Sequence, residues 1–296
     1  MRRGTRVVLL TLLLYAGTVG FFLVVVSAML RSPEGGGLGF GPRVAVVELE
    51  GVILEVDDIV RELKSHRDNP LVRAVVIRIN SPGGVVGPSQ ELYRAVQRVR
   101  EAGKPVVASL GSLAASGGYY VAVAADSIFA NPGTLTGSIG VIMQMANVES
   151  LMKKVGVDYV VIKAGQFKDV GNFSRAMTPE ERRVLQALLD DVHRQFIDAV
   201  AEGRKLDRGR VVQFADGRVF SGAQAQSLGM VDELGTLEDA INRAGKLAGL
   251  ETPPRVILPR RRFSVMDLLR SQTGLGKVAA LAPALPAFKT PLYLLD

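Results

Sequence analysis

AVVIRINSPGG, residues 74–84, combines a strand pattern with a turn signal. Its first seven residues are rich in Val and Ile and predict a strand, and the Ser-Pro-Gly-Gly that follows predicts a turn at the strand's end. Pro88–Ala102 then carries apolar side chains at helical spacing and stops before Gly103. A strand, a Gly-rich turn and a helix in this order indicate an α/β fold.

The same alternation of strands and helices extends to both sides of this stretch. Thr178–Lys205 opens with Thr-Pro-Glu-Glu, a capping box with Pro at the first helical position, and is predicted to be the longest helix. Alternation of this kind favours mainly parallel strands in one domain, residues 43–250. Further strands are predicted at Arg43–Glu50, Pro105–Ser109, Ser127–Asn131 and Tyr159–Lys163, and further helices at Val56–Arg67 and Ser116–Ala125.

The composition excludes several classes of protein. The chain of 296 residues is 48% hydrophobic and 22% charged, which is enough apolar material for a core and excludes a disordered chain. It contains no Cys, which excludes a disulfide scaffold and a Cys nucleophile. Its 2 His residues lie far apart and disfavour a His-rich metal site. We therefore expect no metal and no other cofactor.

The net charge of +7 comes from the two ends of the chain. Residues 1–40 contribute +3 and residues 251–296 contribute +4, whereas residues 41–250 carry 25 basic and 25 acidic side chains. A nucleic-acid partner is not expected, because it would need a basic face on the folded domain. Basic ends fit a membrane surface better. Residues 251–296 lose the strand–helix pattern and are predicted to form a basic, loosely ordered tail.

The N-terminal segment is predicted to be a membrane anchor. Residues 7–30 carry no charge, and at about 1.5 Å per residue they can cross a hydrocarbon core of about 30 Å. Three arginines precede this run and one follows it, so the positive-inside rule places the N-terminus in the cytoplasm and the domain outside. We expect residues 1–31 to form the cytoplasmic N-terminus and anchor, and residues 32–42 a flexible linker. A cleaved signal peptide is the alternative, because Val26-Ser27-Ala28 offers a small-residue cleavage site.

The loop GSLAASGG, Gly111–Gly118, is the most informative stretch for chemistry. Ser116 stands just before a predicted helix, where unpaired N–H groups and the helix dipole favour a developing negative charge. The same position is that of an ordinary helix N-cap, and the loop alone leaves both interpretations open. The Gly-rich loops match neither the P-loop nor the dinucleotide-binding pattern, which disfavours nucleotide binding.

A nucleophilic Ser needs a base, and the chain offers His, Lys or a carboxylate. His66 and His193 lie on predicted helices among charged residues, and both are interpreted as surface residues. A Lys can serve as the base in a Ser-Lys pair if its amine is unprotonated. Lys168, in the loop Gly165–Gly171, is a candidate, although a solvated charge is the ordinary role of a single Lys.

Six blocks of sequence stand in one order between about Arg43 and about Gly249. They are NSPGG at 80–84, SLAASGGYYVA at 112–122, NPGTLTGSIGVI at 131–142, GQFKDVG at 165–171, MTPEER at 177–182 and GRVFSGAQAQSLGMVDELG at 217–235. Together they resemble the bacterial signal peptide peptidase A family of membrane-bound Ser-Lys peptidases, in its short, single-domain form. This resemblance implies a Clp protease- and crotonase-like fold, a spiral of β-β-α units, for the peptidase domain at residues 43–250.

The resemblance also implies roles for five residues. Ser116 is expected to be the nucleophile, Lys168 the general base and Ser138 the side chain that orients the lysine. The backbone N–H groups of Gly83 and Gly117 are expected to form the oxyanion hole. The implied reaction is acyl transfer, in which Lys168 takes the proton of Ser116 and returns it to the leaving amine before water hydrolyses the acyl-enzyme.

For the whole protein, the resemblance implies a serine endopeptidase anchored in the cell membrane, with an extracytoplasmic catalytic domain and a ring-like homo-oligomeric assembly. Its expected substrates are cleaved signal peptides and similar apolar peptides. One alternative is a stomatin-associated type of Ser-Lys protease, which acts on membrane proteins. A crotonase-type acyl-CoA enzyme is disfavoured by the predicted anchor, and a non-catalytic membrane-tethered scaffold would lack a productive Ser-Lys pair, which needs a separation of about 2.6–3.2 Å.

Overall fold

The structure, a computed structural model, describes residues 14–22, 41–259 and 292–294. The chain divides into two units between Pro42 and Arg43. In the first unit, residues 14–22 form helix α1. Among the described residues, none of the helices combines the length and the apolar content needed to cross a bilayer. Most of the predicted anchor at 1–31 and of the predicted linker at 32–42 lies outside the described residues.

In the described part of the second unit, eight strands form one sheet. They are β1 (Arg43–Glu50), β2 (Val72–Ser81), β4 (Val106–Ala115), β5 (Ser127–Ala130), β6 (Leu135–Gly137), β7 (Val219–Ser221), β8 (Glu233–Leu234) and β9 (Val256–Ile257). The order is β7-β6-β4-β2-β1-β9, and β5 lies beside β4 with β8 on its far side. The pairs are parallel except β6 with β7. The predicted α/β class with a mainly parallel sheet is confirmed.

Strand β4 forks the sheet. Its first half, Val107–Leu110, pairs with β5, and its last three residues, Leu113–Ala115, pair with β6. A separate two-stranded sheet joins β3 (Gly83–Val85), which directly follows β2 and Pro82, to β10 (Leu292–Leu294) in antiparallel register. The fork and β3 therefore bring the loops after β2, β4 and β6 to one region of the domain.

Eight helices belong to the described part of this unit. They are α2 (Asp57–Asp68), α3 (Val86–Glu101), α4 (Gly117–Ala122), α5 (Glu149–Val155), α6 (Pro179–Arg204), α7 (Arg208–Val212), α8 (Gly222–Leu228) and α9 (Leu237–Leu247). The predicted capping box of α6 is present, because the side chains of Thr178 and Glu181 each accept a hydrogen bond from the other's backbone N–H. Pro179 begins the helix, as the sequence predicts.

The sheet is buried on both faces. Ala45, Val47 and Leu49 of β1 pack into the cluster that also contains side chains of α2, α3, α4 and α6. Val44 and Val46, which alternate with them, pack into a second cluster with α9. Burial on both faces explains why the strands are continuous Val and Ile runs instead of alternating apolar and polar residues.

Three segments differ from the sequence-based expectation. Gly111–Ala115, predicted as part of a loop, forms the C-terminal half of strand β4. Tyr159–Lys163, predicted as a strand, is not one, and that prediction is wrong: in the described part of the chain no strand pairs with it, and Val160 and Ile162 are 81% and 97% exposed. Strand propensity takes effect only when a neighbouring strand supplies backbone partners and burial. The tail predicted over residues 251–296 is described only at 251–259 and 292–294, where it contributes β9 and β10.

Candidate active site

Ser116 occupies a sharp turn between β4 and α4. Its backbone has φ 52° and ψ −120°, a conformation that costs a residue with a side chain about 1–3 kcal/mol. The turn is fixed from both sides, because the N–H of Ser116 donates to the carbonyl of Gly137 (2.8 Å) and its carbonyl accepts from the N–H of Tyr120 (2.8 Å). Strained strand-to-helix turns of this kind present nucleophilic serines in other hydrolase folds.

The hydroxyl of Ser116 is buried and has no hydrogen-bond partner among the described residues. An N-cap Ser would accept a hydrogen bond from the first turn of its helix, and within the described structure Ser116 makes no such bond. The simple N-cap explanation therefore fails. Leaving a buried polar group unpaired costs about 1–3 kcal/mol, so this hydroxyl calls for a functional explanation.

The two glycines predicted to form the oxyanion hole lie against each other. A Cβ atom on Gly117 would stand 3.2 Å from the Cα of Gly83 and 3.2 Å from the N of Gly84. Gly117 begins α4, in the turn whose N–H groups lack intrahelical partners, and Gly83 has φ +101°, which favours glycine. The structure thus brings the backbone of both glycines beside the turn that holds Ser116.

Two serines support this backbone and were missed in the sequence analysis as separate functional residues. Ser81 Oγ accepts a hydrogen bond from the N–H of Gly83 (3.1 Å). Ser89 Oγ donates to the carbonyl of Val85 (2.9 Å) and would lie 2.6 Å from a Cβ on Gly117. Both serines are fully buried. In the resting structure the Gly83 N–H is therefore satisfied by Ser81, and an oxyanion bound there has to take over that hydrogen bond.

We predict that Gly117→Ala lowers kcat by about 10²- to 10³-fold, the usual cost of disabling an oxyanion-hole donor. The added Cβ would clash with Ser89 and push β3 away from α4. Steady-state peptidase kinetics test this prediction. Gly133→Ala is the matched control, because a Cβ at Gly133 meets no described atom within 4 Å. Equal kcat values for the two variants would contradict the placement of the hole.

Ser138 and Ser116 follow neighbouring strands of the sheet. Ala115 and Gly137 are paired residues of the parallel strands β4 and β6, and the two serines directly follow them. Ser138 is buried and, like Ser116, has a positive φ, 51°. It borders a cavity of about 520 Å³ whose lining also includes Asp190, His193 and Asp216. The structure therefore places the residue predicted to orient the lysine beside the predicted nucleophile.

Within one chain, Lys168 is not hydrogen-bonded to the Ser116 hydroxyl. Its side chain is exposed, and among the described residues no side chain, Lys168 included, hydrogen-bonds to the Ser116 hydroxyl. The two histidines do not supply a base either. His66 Nε2 lies 3.6 Å from Glu62, and His193 Nε2 is buried with no hydrogen-bond partner in the described structure. Neither is the exposed surface residue that the sequence predicts, because both helices pack against the core.

An ion-pair network surrounds the Lys168 loop, and sequence reasoning missed it. Asp169 pairs with Lys163 and Arg175, and these two cations lower the pKa of its carboxyl to about 2. Arg175 also pairs with Glu181 in the first turn of α6 and, with the N–H of Thr178, lowers the pKa of that carboxyl to about 2. In the described part of the chain, no cluster of three or more His, Asp or Glu side chains is arranged to hold a metal ion.

A strained, buried serine beside two closely packed glycines on an α/β scaffold fits the class of serine hydrolases. Comparison with known proteins narrows this class. A sequence model of peptidase family S49 matches residues 98–251, a region that contains Ser116, Ser138 and Lys168. The chain belongs to peptidase family S49 and is a serine peptidase. The resemblance to the signal peptide peptidase A family is confirmed, and it argues against the acyl-CoA enzyme considered above.

Three relatives illustrate the relationship. A putative protease of Synechocystis sp. is 47% identical over 218 residues, which cover 73% of this chain and 78% of that protein. A putative signal peptide peptidase SppA of Enterococcus faecium is 36% identical over 62% of this chain and 54% of that protein. Protease 4 of Salmonella typhi is 34% identical over 71% of this chain, but the match spans only 35% of that longer protein.

Proposed function

We propose that this peptidase is a membrane-anchored serine endopeptidase that degrades cleaved signal peptides and similar apolar peptides with a dyad of Ser116 and Lys168. The observation that carries the proposal is the Ser116 hydroxyl, which is buried and, within the described residues, unpartnered beside the amides of Gly83 and Gly117. A hydroxyl in this state is available to attack a carbonyl whose oxygen enters the hole.

In the proposed mechanism the neutral amine of Lys168 removes the proton from Ser116 as Oγ attacks the peptide carbonyl. The N–H groups of Gly117 and Gly83 stabilise the oxyanion. When the oxyanion binds, the Gly83 N–H gives up its hydrogen bond to the Ser81 hydroxyl and donates to the charged oxygen, which is the stronger acceptor. Lys168 then protonates the leaving amine, and a water activated by the same lysine hydrolyses the ester.

The pairing of β3 supports an extended peptide as the substrate. Gly83–Val85 is paired in antiparallel register by another extended segment, Leu292–Leu294. Both the paired segment and β3 lie close to α4, the helix that begins directly after Ser116. Strand addition uses backbone hydrogen bonds, so it accepts many sequences and leaves selectivity to the side-chain pockets. An edge of this kind suits an enzyme that clears peptides of varied apolar sequence.

The exposure of Lys168 supports a dyad formed between two copies of the chain, within the ring-like homo-oligomer that the family implies. The segment before the Lys168 loop is apolar and exposed at Val160 and Ile162, and in the described structure no strand pairs with it. A second copy placed against this segment would cover the apolar side chains and bring Lys168 to a neighbouring Ser116. Residues 41–250, which balance 25 bases against 25 acids, offer no net repulsion to such assembly.

Two further parts of the proposal concern the fold and the cellular location. The order β2-β3-α3 is one β-β-α unit, which supports the Clp protease- and crotonase-like spiral. The charge-free run at 7–30, flanked by arginines on its N-terminal side, supports a single-pass cell-membrane protein with an extracytoplasmic catalytic domain.

The test of the substrate class uses the full-length chain in detergent. We expect mass spectrometry to detect internal cleavage of a synthetic signal peptide in its apolar stretch and little cleavage of a hydrophilic peptide of equal length. Ser116→Ala in the same detergent is the control for contaminating proteases. Cleavage confined to an intact membrane protein would favour the stomatin-associated alternative. An absence of cleavage together with an absence of fluorophosphonate labelling would favour the scaffold.

A further inference from the structure

The loop that carries Lys168 is clamped around one carboxylate. Asp169 accepts hydrogen bonds from Lys163 Nζ and from Arg175 Nε, the latter at 3.0 Å. These two cations stand six residues before and six residues after Asp169. Lys163 Nζ also donates to the carbonyl of Gln166 (2.9 Å). Both ends of the loop are thereby tied to its middle, at the residue next to Lys168.

Lys168 and Asp169 differ in exposure although they are adjacent in the chain. The Asp169 side chain is only 11% exposed, whereas Lys168 is exposed. Turn hydrogen bonds hold the backbone on both sides, from Lys168 N–H to the carbonyl of Gly165 (3.2 Å) and from Asn172 N–H to the carbonyl of Asp169 (3.0 Å). The clamp therefore fixes the main chain of the loop and leaves the lysine side chain exposed.

Arg175 connects this clamp to the rigid part of the domain. Its two terminal nitrogens donate to the two carboxylate oxygens of Glu181, one of them at 2.9 Å. Glu181 is buried and is already fixed as the third helical residue of α6, where it accepts from the N–H of Thr178 (2.9 Å). Further along, α6 inserts Phe196 into the core. Arg175 therefore links the loop to the start of α6.

We infer that Arg175 is a positioning residue, which through Asp169 and Glu181 holds the loop so that Lys168 meets the nucleophile. This inference rests on the proposed role of Lys168 as the general base. The guanidinium suits the role because its planar fork serves two carboxylates at once, which an ammonium group on a flexible stem reproduces only in part. The pKa of each carboxyl is lowered to about 2, so both are ionised at neutral pH.

The test measures kcat and KM of the full-length chain in detergent on a fluorogenic apolar peptide. We expect Arg175→Gln to lower kcat about 10- to 100-fold, because a base displaced by about 1 Å loses that much rate. KM is expected to stay within about twofold, since β3 is untouched. Arg175→Lys should recover part of the loss. Asp169→Asn, which preserves the side chain's shape, should reproduce the kcat defect if Arg175→Gln fails to fold.

A double-mutant cycle separates positioning from a general structural role. Adding Arg175→Gln to Lys168→Ala should cause no further loss of kcat, because the network acts only through the lysine. Arg183→Gln, which breaks an exposed ion pair with Glu180 in the same turn of α6, should match wild type.

The possible results distinguish a failure of the proposed dyad from a failure of the positioning role. Full activity of Lys168→Ala would overturn the proposed dyad itself. An inactive Lys168→Ala with a wild-type kcat for Arg175→Gln would leave the dyad standing and overturn the positioning role. A double variant clearly slower than Lys168→Ala would also overturn it, because the network would then act on the fold as a whole.

Discussion

Ser116→Ala is expected to abolish peptide hydrolysis and to leave the protein at least as stable as wild type. The rate should fall by about 10⁴-fold or more, as it does when a nucleophile is removed from an acyl-transfer enzyme. Stability should not fall, because the buried hydroxyl has no partner among the described residues and its removal breaks no hydrogen bond. The backbone strain at φ 52° is the same for Ala as for Ser. Peptidase kinetics and thermal melting measure the two effects.

The matched control is Ser112→Ala, in the same strand β4 but with an exposed side chain. It should keep wild-type kinetics and wild-type labelling by a fluorophosphonate, whereas Ser116→Ala should lose both. A Ser116→Ala variant that still hydrolyses peptides would show that another group is the nucleophile. One that melts well below wild type would show that the hydroxyl has a structural partner.

Lys168→Ala should inactivate the enzyme by about 10³- to 10⁴-fold with little change in melting temperature, because an exposed lysine contributes little to stability. Lys154→Ala, at another exposed lysine in α5, is the matched control and should be fully active. Activity retained by Lys168→Ala would contradict the dyad.

Mixing two inactive variants tests whether the dyad forms between copies. When Ser116→Ala and Lys168→Ala chains are co-expressed and assemble at random, about one site in four combines an intact Ser116 with an intact Lys168. About a quarter of the wild-type activity is therefore expected to return. Mixing Ser116→Ala with the double variant Ser116→Ala/Lys168→Ala should restore none. A Ser116→Ala plus Lys168→Ala mixture as inactive as its parts would place both residues in one chain and overturn the proposed assembly.

The sequence predicts the scaffold well because its signals are local. The Val and Ile runs of β1 and β2 mark strands buried on both faces, and Thr178 with Glu181 marks the start of α6. Strands β6 and β7 give no periodic signal because each has three residues. The run Tyr159–Lys163 has strand propensity but no partner strand in the described part of the chain. Propensity alone cannot show whether a partner strand is present.

The site is predicted less completely, because its geometry depends on pairings between distant segments. The GSLAASGG sequence identifies Ser116 as a candidate, but the proximity of Ser116 to Ser138 follows from the register of β4 against β6. The role of Ser81 depends on how the backbone turns at Gly83. The pairs of Arg175 with Asp169 and Glu181 lie in an irregular loop, where no helical or strand period indicates which charges meet.

If a substrate peptide adds to β3, as proposed, the pairing of β10 with β3 makes its binding a competition. Residues 292–294 belong to the same chain as Gly83–Val85, so their local concentration at this edge stays constant when the enzyme is diluted. A free peptide that adds to the same edge has to displace them and competes only through its own concentration. The apparent affinity for such a peptide would therefore include the equilibrium for release of residues 292–294 from β3. Peptides at low concentration would bind poorly at this edge, and peptides at high local concentration would bind better.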